Sequence, residues 1–262
     1  MEVVIVVDDT AVGEVAAAKI ASVAAEVGAR VVLGLATGSS PILAYQALAR
    51  RVRNGTVDFS QSLAFALDEY VGLPAGHPQS YRSVISRDAA TPLGLVPDRV
   101  HTPNGFASDL PEAAAQYEEL IRLAGGVDIQ ILGVGSNGHI GFNEPGSSLA
   151  SRTRVKTLTN RTRQDNARFF ENLSSVPHHC LTQGLGTIMD ARQVILLAQG
   201  AAKAEAISAL VEGPITSMWP GSVLQLHEHA TVVIDQQAAS RLQLADYYRE
   251  TYAGKPGWQR FE

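Results

Sequence analysis

Short apolar runs, each followed by a polar turn and a segment of helical period, recur along this chain and leave few folds open to it. Residues 2–7, 31–35, 63–67, 129–134, 194–198 and 231–234 have strand length and lack a regular polar face. Such runs are strands covered on both sides. Between them, residues 8–27, 41–53, 79–88, 111–123, 160–170 and 201–211 have helical spacing, and 238–247 reads as a terminal helix. Some of these carry their own boundary signals. Asp8, Asp9 or Thr10 caps the first helix and Gly28 stops it, while Pro41 opens the second and Asn54-Gly55 closes it. Residues 99–102 and 154–158 read as further short strands. Strands alternating with helices predict an α/β fold: a three-layer, doubly wound, mostly parallel sheet with helices on both faces. Ligands then gather beyond the carboxyl ends of the strands.

No repeat, low-complexity tract or linker divides the 262 residues, so a single domain over 1–262 is expected. A hydrophobic share of 45% against 18% charged residues reads as globular. The net charge of −5 provides no general polyanion-binding surface, and no nucleic-acid partner is expected. Cys180 is the single cysteine, which excludes an internal disulfide and offers no zinc motif. The opening MEVVIVVDDT lacks the basic start and small-residue cleavage site of a signal peptide. No apolar run approaches the ~20 residues of a membrane helix. A cytoplasmic protein without a membrane partner is expected.

Three strand ends carry chemistry. The run 129–134 breaks into Gly133, Gly135, Gly138 and Gly141, with Asn137, His139, Asn143 and Glu144 in and just after the break. Its G-x-G-x-x-G spacing matches the dinucleotide fingerprint, but HIGFNEPGSS follows where that motif needs a helix. A histidine with a glutamate close by suits proton transfer near neutral pH. The second strand end, LGLATGSSP, places Thr37, Gly38, Ser39 and Ser40 directly before a helix. Backbone N–H groups, hydroxyls and the helix dipole there can hold a phosphate, and a serine-capped strand–turn–helix junction fits the same residues. No Gly-Lys-Ser/Thr follows, so a sugar phosphate is expected and not a nucleotide. The third is LDEYVGL, where burial of Asp68 would make it a better base, although for this stretch taken alone turn capping is the stronger account. Arg152, Arg154, Lys156, Arg161, Arg163 and Arg168 form a basic segment read mainly as solvated face, with one or two reaching a phosphate, and Lys203 is a further cation at a helix start. His227 and His229 would share a strand face but have no third metal ligand, and His178-His179 reads as preceding a turn without a partner.

The motifs LGLATGSSP, LDEYVGL with SYR after it, GVGSNGHIGFNEPGSSLASRTRVKTLT, ARFF, GLGTIMDAR, GAAKAEAI and MWPGSVLQLH stand in one order. Together they make the chain resemble the glucosamine-6-phosphate deaminase (isomerase) family over essentially its whole length. The resemblance implies a reaction without metal or cofactor, in which glucosamine 6-phosphate and water become fructose 6-phosphate and ammonia in amino-sugar catabolism. It assigns Asp68 as the base at C2 and His139 to ring opening, with Glu144 and Asn137 around it. It assigns the phosphate to the 37–40 loop with Arg168 and Lys203. Some family members have Asp in place of Asn137; an amide takes up no proton at neutral pH, so a histidine-centred relay here leans on Glu144. Regulated members are homo-oligomers activated by N-acetylglucosamine 6-phosphate, and Ser147, Arg154, Lys156 and Tyr247 match the activator positions. Residues 159–176 resemble a mobile lid. Of the rival readings, 6-phosphogluconolactonases typically continue the Gly-His motif with Thr-Ala-Ser-Leu-Phe where this chain has Ile-Gly-Phe-Asn-Glu. A sugar-phosphate sensor would carry a helix-turn-helix ahead of the first strand.

Overall fold

Alternation along each buried strand divides the interior into two halves. In the computed structural model, which describes residues 1–261, Val3, Leu132, Leu196 and Val232 face one packed cluster, and Val4, Ile131, Ile195 and Val233 face the other. The period of two sends neighbours to opposite faces, and both faces are covered. In chain order the elements are β1 (Glu2–Val6), α1 (Asp9–Val27), β2 (Val32–Leu35), α2 (Ile42–Arg53), β3 (Leu63–Ala66), β4 (Asp68–Tyr70), α3 (Tyr81–Ile85), α4 (Thr91–Leu93), β5 (Val100–His101), α5 (Leu110–Leu123) and β6 (Ile129–Gly133). They continue as β7 (Arg154–Thr157), α6 (Asn160–Asn166), β8 (His179–Thr182), α7 (Leu185–Met189), β9 (Gln193–Ala198), α8 (Ala204–Val211), β10 (Ala230–Asp235) and α9 (Ala245–Ala253).

The main sheet has the order β1-β10-β9-β6-β2-β3-β5, and every pairing in it is parallel. From β2 the chain winds outward through β3 to β5. It then returns to β6 on the other side of β2 and winds the opposite way through β9 and β10. The direction reverses between β2 and β6, so the loops after these two strands flank a crevice. Helices α1 and α2 cover one face with Val12, Ile20, Ala44 and Leu48, and α5 and α8 cover the other with Tyr117, Ile121, Ile207 and Leu210.

A second sheet differs from the sequence reading. β4, β8 and β7 form a three-stranded antiparallel sheet in which Asp68 pairs with Thr182 and Arg154 pairs with Thr182 from the other side. Asp68 therefore begins a strand, two residues past the end of β3, and His179 begins β8 instead of preceding a turn. Glu118 on α5 ties this sheet to the main body. Its carboxylate accepts hydrogen bonds from the Thr153 backbone N–H at 2.8 Å, the Thr153 hydroxyl, the Thr187 hydroxyl at 2.5 Å and Arg152 at 2.6 Å. Glu118→Ala leaves these donors without their acceptor. It is expected to cost about 2–4 kcal/mol, read as a fall of several degrees in Tm by calorimetry.

Other boundaries are corrected as well. The helix expected over 79–88 is α3, which runs through a π-helical turn, Ser86–Ala90, into α4. The helix expected over 160–170 ends at Asn166 and tightens into a 3-10 turn, Ala167–Phe169. The expected terminal helix over 238–247 is instead turns, with α9 starting at Ala245. Asp235 accepts from the N–H groups of Gly200 and Ala238, which bends the chain there. Glu212, the C-cap of α8, takes the N–H groups of Gln243 and Leu244 at 2.8 and 2.9 Å, so the donors ahead of α9 are satisfied by a residue far away in sequence. His227 follows a 3-10 helix, Pro220–Leu226, and not a strand. It is buried, with Nε2 2.8 Å from the Ala191 carbonyl and Nδ1 accepting from the His229 N–H, so it is a structural residue.

Candidate active site

The crevice between β2 and β6 opens into a cleft of about 480 Å³. One wall is the turn after β2. Thr37, Gly38, Ser39 and Ser40 line the cleft, with Gly38 at φ 93°, ahead of α2. Such a turn places N–H groups and hydroxyls around an anion at the positive end of a helix. Lys203 lines the cleft from the turn after β9, and its Nζ donates to the Val134 carbonyl at 2.7 Å. Burial pulls the Lys203 ammonium below its ordinary value; Asp165 opposes that shift and Arg168 adds to it. Arg168 lines the same cleft from the 3-10 turn after α6, stacked over Phe169 at 4.7 Å.

Asp68 projects from the start of β4 at the end of β3. It is 6% exposed and lines the cleft, and among the described residues none donates a hydrogen bond to its carboxylate. Burial raises its pKa well above the usual carboxylate range, and the neighbouring Glu69 raises it further. Glu69 is differently placed. Its carboxylate accepts from the N–H groups of Tyr70, Tyr81 and Arg82 at 2.7–2.9 Å, joining β4 to the start of α3. Of two adjacent acids, one is fixed in structure and the other is left free at a cavity.

His139 lies on the loop after β6. That loop folds on itself: Gly135 N–H donates to the His139 carbonyl, and Gly138 N–H donates to the Gly135 carbonyl, both at 2.9 Å. The imidazole rests on Gly135, where a Cβ would lie 2.2 Å from His139 Cε1. Gly138 has φ +80°, and a Cβ there would meet Trp219 at 2.5 Å. Two glycines of the G-x-G-x-x-G spacing thus serve a histidine and a tryptophan, not a pyrophosphate. Behind the ring, Glu144 Oε2 is 3.7 Å from His139 Nδ1 and accepts from Asn137 Nδ2 at 2.7 Å, while the Thr162 hydroxyl donates to Oε1. Burial pushes the Glu144 carboxyl up, but His139, Thr162 and Asn137 together outweigh it and hold the pKa at about 2. Glu144 is therefore a fixed negative charge able to stabilise an imidazolium on His139.

A family model described as glucosamine-6-phosphate isomerases/6-phosphogluconolactonase matches residues 8–233. The chain belongs to this family. A glucosamine-6-phosphate deaminase of Arthrobacter sp. is 62% identical over 228 residues, covering 87% of this chain and 88% of the relative. One from Mycolicibacterium smegmatis is 57% identical over 260 residues, 99% of each chain. The solved structure of a monomeric glucosamine-6-phosphate deaminase superposes with a TM-score of 0.89 at 41% identity, covering 92% of this chain and all of that one. A 6-phosphogluconolactonase from Trypanosoma cruzi shares the fold, with a TM-score of 0.75 at 21% identity.

In this member of the isomerase/lactonase family, the cleft brings together Thr37, Gly38, Ser39, Ser40, Asp68, His139, Arg168 and Lys203. Asn137 and Glu144 stand behind His139, outside the lining. Ser147, Arg154, Lys156 and Tyr247 lie elsewhere. Ser147 is buried with its hydroxyl unpartnered, Arg154 and Lys156 are on β7, and Tyr247 is exposed on α9. Sequence reasoning missed Tyr81, Thr162, Asp165 and Asn166, all of which line the cleft, and had Arg161, which also lines it, only as one of six basic candidates. Asn166 donates to the Tyr70 hydroxyl at 3.0 Å, and Phe170 meets the Tyr70 ring edge-on at 5.6 Å, so the end of α6 and the turn after it rest on Tyr70. The only local signal for this was the run of Arg, Thr, Asp and Asn on a helix beside the basic segment. Among the described residues, no group of three His, Cys, Asp or Glu could hold a metal, and no helix is long and apolar enough to cross a membrane.

Proposed function

We propose that this chain is a glucosamine-6-phosphate deaminase acting as one domain, with Asp68 and His139 as its two proton-handling groups. The observation that carries the reading is the pairing of a buried, hydrogen-bond-free carboxylate with an imidazole backed by a carboxylate, in one cleft beside an anion-binding turn. Ring opening needs a group that takes the anomeric hydroxyl proton and delivers it to the ring oxygen. His139 does this, with Glu144 stabilising the imidazolium between the two transfers. The open chain carries an aldehyde at C1 and an amine at C2. Asp68 then takes the C2 proton and returns it to C1, while the C1 oxygen takes up the proton that the amine nitrogen gives up, which leaves a hydroxyl at C1 and an imine at C2. Water adds to that imine, and fructose 6-phosphate and ammonia leave. Burial suits Asp68 to this task, because a base with a raised pKa takes a carbon-bound proton more readily.

The phosphate sits in the 37–40 turn with Lys203 and Arg168. Lys203→Ala is expected to raise KM about tenfold or more with a smaller change in kcat, since the phosphate is bound alike in ground and transition states. Steady-state kinetics at saturating and limiting substrate separate the two. Lid residues 159–176 cover the cleft during the chemistry and exclude water. The resemblance of Ser147, Arg154, Lys156 and Tyr247 to the activator positions of regulated, homo-oligomeric members supports a cytoplasmic protein with a site for N-acetylglucosamine 6-phosphate, whereas the solved deaminase it superposes on is monomeric; an unchanged saturation curve in its presence rejects that site. The deciding assay is release of ammonia and fructose 6-phosphate from glucosamine 6-phosphate by the pure protein. Neither a lactonase nor a sensor gives these products.

A further inference from the structure

We infer that Thr162 is a positioning residue for Glu144: through a chain of two hydroxyls, the lid helix completes the carboxylate that serves His139. This rests on the deaminase reading and adds a residue to its proton-handling side. Thr159 is the N-cap of α6, and its Oγ1 accepts from the Thr162 N–H at 3.1 Å. The Thr159 hydroxyl donates to Thr162 Oγ1 at 3.0 Å, and the Thr162 hydroxyl donates onward to Glu144 Oε1. One bond from the carboxylate therefore reaches the residues that start the lid helix. Thr162 is buried and also lines the cleft. The helix cannot lift or unwind at its first turn without withdrawing a donor from Glu144.

The other Oε atom is held from the opposite side by Asn137, from the same loop as His139. Glu144 is thus gripped between a fixed loop and a covering helix. His139 is the titratable group facing it, and Asn137 and Thr162 are neutral. Among the cationic lid residues, Arg161 donates to Ser136 on the catalytic loop at 3.2 Å, and Arg168 lines the cleft. With Thr162 withdrawn, a buried carboxylate oxygen loses its donor. Glu144 then turns toward solvent or takes up a proton more readily, and in either case serves His139 less well. The proton-handling pair is complete only when the helix that covers the substrate is formed.

The test compares Thr162→Val, which keeps the shape and loses the donor, with Thr162→Ser, which keeps the donor. Thr162→Val is expected to lower kcat about tenfold or more with less than a twofold change in KM, while Thr162→Ser stays within about twofold of wild type. A merely structural role would not move the titration of Glu144, followed by its carboxyl ¹³C shift between pH 3 and 7. That shift stays flat in the wild type and Thr162→Ser and moves in Thr162→Val. An unmoved titration in Thr162→Val, or equal damage by serine and valine, overturns the inference. A wild-type protein that releases no ammonia overturns the deaminase reading instead, and the Glu144 titration still decides the role of Thr162.

Discussion

Asp68→Asn is expected to be nearly inactive and yet more stable than the wild type at pH 8. The two effects have one origin. The carboxylate is buried at the floor of the cleft without a hydrogen bond, and beside Glu69. Such a group is costly to ionise and for that reason is an effective base. An amide of the same shape cannot take the C2 proton, so kcat should fall by about 10³-fold, within the usual range for losing a general base. Exchange of the C2 hydrogen in deuterated water should stop as well. The stability effect has a definite sign. An acid whose pKa is raised by folding binds its proton more tightly in the native state, so stability is lost as pH rises from the unfolded value through the folded one. The amide has no such dependence. The variant should match the wild type near pH 4 and exceed it at pH 8 by about 1 kcal/mol or more, with each kcal/mol worth roughly 2–4 °C in Tm. Retained C2 exchange would remove Asp68 from the role of base. A variant less stable than the wild type at pH 8 would show that the charge is solvated or partnered.

Asp68 was legible in the sequence because its setting is local: an acid directly after a buried run. The same locality made the 37–40 turn and the His139 loop visible. What escaped was whatever depends on residues far apart in the chain. β4 is three residues long and reads as loop; its pairing with β8 becomes apparent only when His179–Thr182 arrives from more than a hundred positions away. The start of α9 was misplaced because Glu212, and no residue near Leu244, takes the preceding N–H groups. Tyr81 and Asn166 line the cleft because Glu69 and Tyr70 hold them there, and neither contact has a sequence spacing that announces it. Asn137 shows a subtler limit. As an amide it donates to Glu144. A carboxylate at that position could hold the same oxygen only by carrying a proton. Asparagine therefore removes a like-charge conflict beside a glutamate that must stay ionised, a gain that proton-relay reasoning alone does not reveal.

The glycines give the sharpest separation between pattern and cause. Gly133, Gly135 and Gly138 look alike in the G-x-G-x-x-G spacing, but a methyl group added to each meets something different. At Gly133 a Cβ would lie 3.5 Å from Ser40 Cβ, an ordinary contact. At Gly135 it would lie 2.2 Å from His139 Cε1, 2.4 Å from Nε2 and 2.5 Å from Nδ1, so the imidazole must leave its place. Gly135 has no positive φ, so alanine there strains no backbone and acts through the ring alone. Gly135→Ala should therefore lower kcat about 10²-fold, as misplacing a proton-transfer group does. Gly133→Ala should leave His139 where it is and Tm nearly unchanged. The decisive comparison is made in a chain that already lacks the ring. In His139→Ala the space over Gly135 is empty, and adding Gly135→Ala should cost almost nothing further. Residues acting through one shared group are non-additive in this way. If Gly135→Ala costs as much there as in the wild type, the glycine serves the loop backbone and not the histidine.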